Sequence, residues 1–340
     1  MRRSVIARRP LILGLLLAAV FAGGPSPASS QEKTVVPVGL VWATDGRSGF
    51  LYLGIERGFY AAEGLDVQVH RGRGGMALAI DVSQGQYPFG ALADLSVIVP
   101  LRQKGSDLKG ILLTGARSSF GFQSFAEKNI KTPKDFEGHS VGLQPGSMTE
   151  RLFPMLAKAN GVDVSKVRIV PLAGDVYVPA FLEGRIDLMS GFYDSLYQVV
   201  RFQAEKRGKS LTSVWAKDWG LDTLGSMIVA REQTLREKPD LVRRFLRASK
   251  RALDATRADP PQALAAILKH NSALNRVIAQ GQLQAFLELE LDAEIGAEKS
   301  GCAVEAKVQR TVDMYRQALD IAQPVPAAQV FTNEFMEWCR

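Results

Sequence analysis

The chain has 340 residues, 46% of them apolar and 23% charged, with 42 Lys and Arg against 35 Asp and Glu, a formal net charge of +7. The first 30 residues hold four arginines and no acid, so the remainder carries 38 basic against 35 acidic side chains, a net charge of +3. That near balance excludes a nucleic-acid footprint, and the length allows a large core, ordinarily divided between two lobes.

Residues 1–30 read as an export signal. Arg2, Arg3, Arg8 and Arg9 form a basic leader, residues 11–21 an apolar core and residues 26–30 a small-residue cleavage zone. The apolar run is too short to span a bilayer. No Cys lies near the cleavage zone, so no lipid anchor is expected. Arg8-Arg9 resembles a twin-arginine signal only loosely, and ordinary secretion to the periplasm is the reading adopted.

In chain order, strands are expected at 35–41, 66–71, 88–93 and 108–115, alternating with helices at 49–57, 76–84 and 95–103. A second series opens after Gly121, with strands at 122–125, 139–143, 167–171 and 186–190 and helices at 149–160, 176–182 and 195–204. A strand at 224–229 returns, and the rest reads as helical, including 241–257, a helix from Cys302 to about 320, and a last helix ended by Cys339. Such alternation argues for βα units and mainly parallel sheets. Proline punctuation agrees: Thr132-Pro133 and Lys238-Pro239 open helices, and Asp259-Pro260-Pro261 closes one. The expected fold is α/β with two lobes joined twice. Lobe one spans 32–118 plus 224–340, and lobe two is inserted at 119–223. The two hinge crossings fall near 116–121 and 219–225.

The stretch 40–65, LVWATDGRSGFLYLGIERGFYAAEGL, is the most informative. A strand delivers Trp42 to a polar, Gly-containing turn, and Tyr52, Ile55 and Phe59 recur at helical spacing behind it. An exposed aromatic beside free backbone N–H groups is a natural wall for a small-ligand pocket. Trp42, Tyr52, Gly58-Phe59-Tyr60 and Glu63-Gly64-Leu65 resemble the first motif of the thiamine-precursor and sulfonate (nitrate- and taurine-like) solute-binding proteins that serve ABC importers. Thr44, Asp45 and Ser48 stand where thiamine-precursor binders usually have Pro, Asn and His. Gly85-Gln86, 130–135, Pro145-Gly146-Ser147, 184–187 and 239–242 match further along. The resemblance implies the bilobal periplasmic-binding-protein fold, no catalysis, no cofactor, and a monomer that hands a small molecule to a permease and ATPase of the inner membrane.

Several turns are candidates for holding that ligand. Residues 72–77 satisfy G-x-G-x-x-A between a strand and a helix, with Asp94 further on. This is the second βα turn of an exported chain, so Gly75 and Met76 are read as a ligand-facing loop and not as a dinucleotide fingerprint. Gly146, Ser147, Met148 and Thr149 lie at a strand-to-helix junction, where N–H groups and hydroxyls face the positive helix end; Ser147 with Glu150 also reads as a capping box. Tyr193 and Asp194 follow a strand, the aromatic placed to stack and the acid to accept N–H bonds or to cap its own helix. Trp219, with Asp222 and Thr223, is a candidate at the second crossing, and Arg117 at the first is a bidentate partner for a carboxylate or sulfonate or a solvated hinge residue. Asp45, Asp94 and Asp194 favour a ligand with N–H donors; Arg117 and the Ser147 turn favour an anion.

Catalysis and metal binding find no support. His70, His139 and His270 pair with no Ser or Cys in a recognisable arrangement, no G-x-S-x-G elbow occurs, and no cluster has metal-ligand spacing. The helix at 241–257 presents Arg243, Arg244, Arg247, Lys250 and Arg251 on one face, read as a solvated face and not a membrane-docking one. Cys302 and Cys339 are bonded or independent with equal weight. The expected ligand is a planar nitrogen heterocycle of the pyrimidine-precursor type. The alternatives are a small sulfonate, nitrate-like or aromatic carboxylate anion in the same fold, a pyrimidine-synthase-like enzyme, and a periplasmic sensor subunit.

Overall fold

The computed structural model describes residues 33–145, 147–172, 174–291 and 295–340. The export signal expected at 1–30 lies outside them. The first strand, β1 (Thr34–Leu40), is followed by helices α1 (Gly49–Glu56) and α2 (Phe59–Ala62) and by strand β2 (Leu65–His70). Next come α3 (Gly75–Ser83), β3 (Phe89–Ala93), α4 (Leu95–Gln103) and β4 (Leu108–Leu113). Then β5 (Phe120–Phe125), β6 (Ser140–Leu143), α5 (Met148–Ala159), β7 (Arg168–Pro171), α6 (Gly174–Leu182), β8 (Leu188–Phe192), α7 (Leu196–Glu205) and β9 (Leu211–Trp215) follow. After β10 (Met227–Arg231) the chain is helical: α8 (Glu232–Glu237), α9 (Pro239–Ala258), α10 (Pro260–His270), α11 (Arg276–Glu290), α12 (Glu305–Ala318) and α13 (Ala327–Val330).

These strands form two five-stranded sheets, ordered β2-β1-β3-β10-β4 and β7-β6-β8-β5-β9. In the first, β10 runs antiparallel to β3 and β4; in the second, β5 runs antiparallel to β8 and β9. Each sheet thus has one reversed strand, second from an edge, and it is the first strand the chain makes after changing sheet. The remaining strands are parallel, as the βα alternation requires. Strand β1 pairs with β2 and β3; Val36, Val38 and Leu40, two residues apart on one face, are buried, whereas Val35 on the other face is exposed.

The links between the sheets hydrogen-bond to each other. The Thr114 and Gly115 amides both donate to the Ser226 carbonyl at 2.8 Å, and the Gly225 amide donates to the Gly115 carbonyl at 2.9 Å. A Cβ on Gly225 would lie 2.6 Å from the Arg117 carbonyl oxygen, and one on Gly115 would lie 2.8 Å from the Ser226 nitrogen. Only glycine permits that approach.

Helix α9 packs on the first sheet through Phe245, whose ring stacks on Phe89 at 4.1 Å and on Tyr60 at 5.6 Å. Its basic face is occupied by the chain's own groups: Arg247 bonds Glu63 at 2.7 Å, Lys250 bonds Asp254 at 2.7 Å, and Arg251 lies over the Phe59 ring. No described helix is long and apolar enough to cross a membrane.

Three expectations are corrected. Strand β9 was absent from the predicted elements, because its half-buried Thr and Ser weaken the apolar signal of an edge strand. The helix expected from Cys302 starts only at Glu305. The preceding residues form a turn and an irregular stretch held from outside, Gly301 accepting from the Leu113 amide and Ala303 pairing through both backbone groups with the Asn333 side chain. The last helix expected before Cys339 is instead short α13 and a 3-10 turn, Glu337–Cys339.

Cys302 and Cys339 are joined, their Cα atoms 5.7 Å apart and 37 residues apart in sequence. The Trp338 indole donates to the Ser300 carbonyl beside them at 3.0 Å. A loop of that length should contribute about 3–4 kcal/mol through the unfolded chain. We expect no alkylatable thiol in the non-reduced protein by mass spectrometry. Cys302→Ala/Cys339→Ala should lose roughly that stability in urea unfolding; an unchanged midpoint would show that the bond does not restrain the chain.

Candidate functional site

The segments that leave three parallel strands converge on one cavity of about 200 Å³. Trp42 follows β1, Asp94 follows β3 and Asp194 follows β8; all three line it. This is the carboxyl-end position where open α/β sheets place ligands.

On the first-sheet side, the backbone turns sharply after Trp42. Asp45 caps a 3-10 turn, Gly46–Ser48, accepting from the Arg47 amide at 3.0 Å. Its carboxylate also holds the Arg47 guanidinium through Nε and Nη2, the latter at 2.7 Å. The Thr44 and Tyr52 hydroxyls share a hydrogen bond of 2.7 Å that anchors the turn to α1. Trp42 is 53% exposed, so its indole face is open to a guest. Asp94 caps α4, accepting from the Ser96 amide at 2.8 Å and from the Ser96 hydroxyl. Tyr315 of α12 closes the floor, buried with its hydroxyl on Thr223 at 3.4 Å.

Phe120, Leu152 and Phe192 form the apolar part of the second-sheet side, with Ser118, Ser119 and Asp194 as its polar groups. Asp194 is 6% exposed. It does not cap α7, whose N-cap is Ser195 with no side-chain bond. Its Oδ1 has no hydrogen-bond partner among the described residues.

Burial pushes the Asp194 carboxyl above its ordinary range, although the facing Arg47 charge and the Ser119 hydroxyl pull it down. Asp94 is likewise raised by burial, against its two bonds to Ser96. For Arg47, burial acts to lower the pKa, but Asp45 and Asp194 outweigh it and the net direction is up. One guanidinium is therefore bonded to Asp45 and also attracts the Asp194 charge, with Asp94 a further acid of the same cavity. The pocket is acidic and aromatic.

Of the residues singled out from sequence, Trp42, Asp94 and Asp194 line the cavity, and Asp45 acts on it through Arg47. Gly75 and Met76 are not among the lining residues; Gly74 is. The Gly72 and Gly74 amides donate to the carbonyls of Trp42 and Val41, so the glycine loop spends its donors on its own chain. Ser147 and Thr149 also lie off the lining: Ser147 caps α5, and the Thr149 hydroxyl bonds Ser147 and Ser190. Gly146 and the Met148 side chain fall outside the described part. Tyr193 packs on Tyr197 and Trp215, with its hydroxyl on Glu288 at 2.8 Å, and neighbouring Phe192 takes the cavity position. Arg117 donates to the Glu288 carbonyl at 2.9 Å, and the Trp219 carbonyl accepts from Asn160; neither side chain lines the cavity. Arg47 escaped the sequence reading, although its spacing from Asp45, two residues on in a turn, is the signal of a local bidentate pair. Tyr315 had no local signal at all. His70, His139 and His270 are not among the lining residues, and no metal-holding cluster occurs among the described residues.

The family model described as "NMT1/THI5 like" matches residues 47–263. The riboflavin-binding protein RibY of Chloroflexus aurantiacus is 26% identical over 332 residues, covering 94% of this chain and 91% of that one. The formylaminopyrimidine-binding protein of Halalkalibacterium halodurans is 24% identical over 330 residues, covering 95% and 98%. Among solved structures, the periplasmic aliphatic sulphonate-binding protein SsuA of Escherichia coli superposes with a TM-score of 0.65 at 16% identity, covering 87% of this chain and 91% of that one.

The raised carboxyl of Asp194 has a consequence for stability. The folded state holds that proton more tightly than the unfolded chain does, so the group's contribution is fully present below its ordinary 3.8 and is lost as pH rises through the elevated folded value. Asp194→Asn should therefore gain stability relative to wild type as pH increases from about 4. Denaturant melts of both proteins across pH 3–8 measure this; parallel curves would place the Asp194 carboxyl in its ordinary range.

Proposed function

The chain belongs to the NMT1/THI5-like family, and from that premise we propose that it is the solute-binding protein of an ABC importer, taking a small planar nitrogen heterocycle of the aminopyrimidine class. The observation that carries this reading is the Asp194 carboxylate, buried on the wall of an aromatic cavity with one oxygen unpartnered. A buried acceptor in that state is stabilised by a ligand N–H donor and not by an anion. Trp42 offers a ring face to a flat guest, with Phe120 and Phe192 as apolar lining. The cavity, about 200 Å³, falls below the roughly 300–1,000 Å³ of drug-sized sites and suits a small molecule.

The ligand is held between two lobes, 32–118 plus 224–340 and 119–223, which close about the paired links at Gly115 and Gly225. Closure brings Asp194 to the Arg47 side, so a ligand touching both has higher affinity for the closed state and shifts the population towards it. A permease and ATPase of the inner membrane then receive the solute from a monomeric protein in the periplasm. The disulfide fits an oxidising compartment, and the binding proteins among the relatives fit a role without catalysis. Arg117, the cation expected for a sulfonate, is engaged with the Glu288 carbonyl away from the cavity, and this counts against the anionic alternative.

A thermal-shift screen of the exported protein against formylaminopyrimidine, riboflavin, alkanesulfonates and aromatic acids tests the ligand class. A ring N–H donor should raise the melting temperature and bind at about micromolar or tighter; stabilisation by sulfonates alone would overturn the reading. Trp42→Ala should weaken binding at least about tenfold, the loss of one stacked ring, with little change in the unliganded melt because the indole is half exposed. Asp194→Ala should cost about 10- to 100-fold in affinity, the worth of a hydrogen bond to a charged group. Titration calorimetry on the two variants measures both effects.

A further inference from the structure

The two charged walls of the cavity are held by the same helix. Gln282 lies on the inner face of α11, 6% exposed. Its Oε1 accepts from the Gly46 amide at 3.1 Å, in the turn that carries Arg47, and its Nε2 donates to the Ser195 carbonyl at 3.4 Å, next to Asp194. The fit around it is close. A Cβ on Gly46 would lie 2.1 Å from the Ala279 carbonyl oxygen, and one on Gly281 would lie 2.7 Å from Gln198 Oε1. At the far end of α11, Glu288 accepts from the Tyr193 hydroxyl at 2.8 Å through its side chain and from Arg117 at 2.9 Å through its carbonyl. Gln282, Gly281 and Glu288 are not among the cavity-lining residues.

We propose that α11 is a latch on closure and that Gln282 is its positioning residue, a carboxamide that sets the spacing between the Arg47 turn and the Asp194 loop without touching the ligand. This rests on the reading that the two sheets open and close about a small guest. The chemistry is specific to an amide, since one end must accept and the other must donate. The Gly46 bond stays within the first-sheet side, whereas the Ser195 and Tyr193 bonds join it to the second-sheet side. When the lobes part, water replaces those cross-bonds, so removing one penalises the closed state and not the fold. Gln282→Glu keeps the acceptor for Gly46 and loses the donor for Ser195. Tyr193→Phe keeps the ring packing and loses the bond to Glu288.

Small-angle scattering on the unliganded protein reads the open-to-closed ratio. Gln282→Glu and Tyr193→Phe should each shift it about three- to tenfold towards open, the worth of one net hydrogen bond, and so enlarge the radius of gyration. Melting temperatures should hold, and exposed Gln280→Ala should match wild type. Where riboflavin or formylaminopyrimidine binds, its dissociation should quicken by the same factor with the association rate unchanged. Unchanged scattering, together with unchanged dissociation of any probe that binds, overturns the latch. So does a larger radius accompanied by a collapsed melting temperature, or the same increase in Gln280→Ala. Failure of both probes to bind counts against the ligand class alone and leaves scattering to decide the latch.

Discussion

A guanidinium already gripped by one carboxylate faces a second, buried carboxylate across the cavity. Arg47 is tied to Asp45 by adjacent bonds within one turn, so the attraction it has left for Asp194 does not offset that group's burial, and the Asp194 carboxyl is driven towards its protonated form. Placing a charge in such a site without full compensation costs several kcal/mol. A guest supplying an N–H donor relieves that cost. An unpartnered acceptor oxygen, aromatic side chains and a small volume thus meet in one cavity.

The topology explains how these groups meet. Parallel strands point the same way, so the segments leaving their carboxyl ends gather at one edge of each sheet. Trp42 and Asp94 leave the first sheet in this manner, and Asp194 leaves the second. The reversed strands β5 and β10 are the first made after each change of sheet, and the links that precede them pair through Gly115, Gly225 and Ser226. Helix α11 then ties the Arg47 turn to the Asp194 loop from outside the cavity.

Most of the secondary structure was legible because parallel βα units write strong signals: buried Val, Ile and Leu runs, capped helices, and prolines at helix starts. Edge strand β9, with polar residues on a half-buried face, wrote a weak one. At the site, Trp42, Asp94 and Asp194 could be read because each follows a strand directly. Tyr193 and Phe192 were harder to separate. Neighbouring residues at a strand end project to opposite sides, and which side meets the cavity depends on the sheet's neighbours. The glycine loop at 72–77 satisfied a phosphate-binding pattern, yet its amides bond back to Val41 and Trp42, a use that no local pattern distinguishes.

Arg117 and Arg47 show where local reading ends. Both are arginines in polar turns that follow a strand, and the spacing of Asp45 marks Arg47 as paired without saying which of the two faces the cavity. Tertiary packing separates them: α11 presents the Glu288 carbonyl to Arg117, while Asp45 fastens Arg47 at the cavity wall. By itself the sequence determined the α/β class, the order of most strands and helices, the family resemblance and three of the cavity's side chains, because those depend on periodicity and on neighbours along the chain. The charge balance of the pocket, the joining of Cys302 to Cys339 and the contacts of α11 were decided only in three dimensions, because each depends on groups far apart in sequence that packing alone brings within bonding distance.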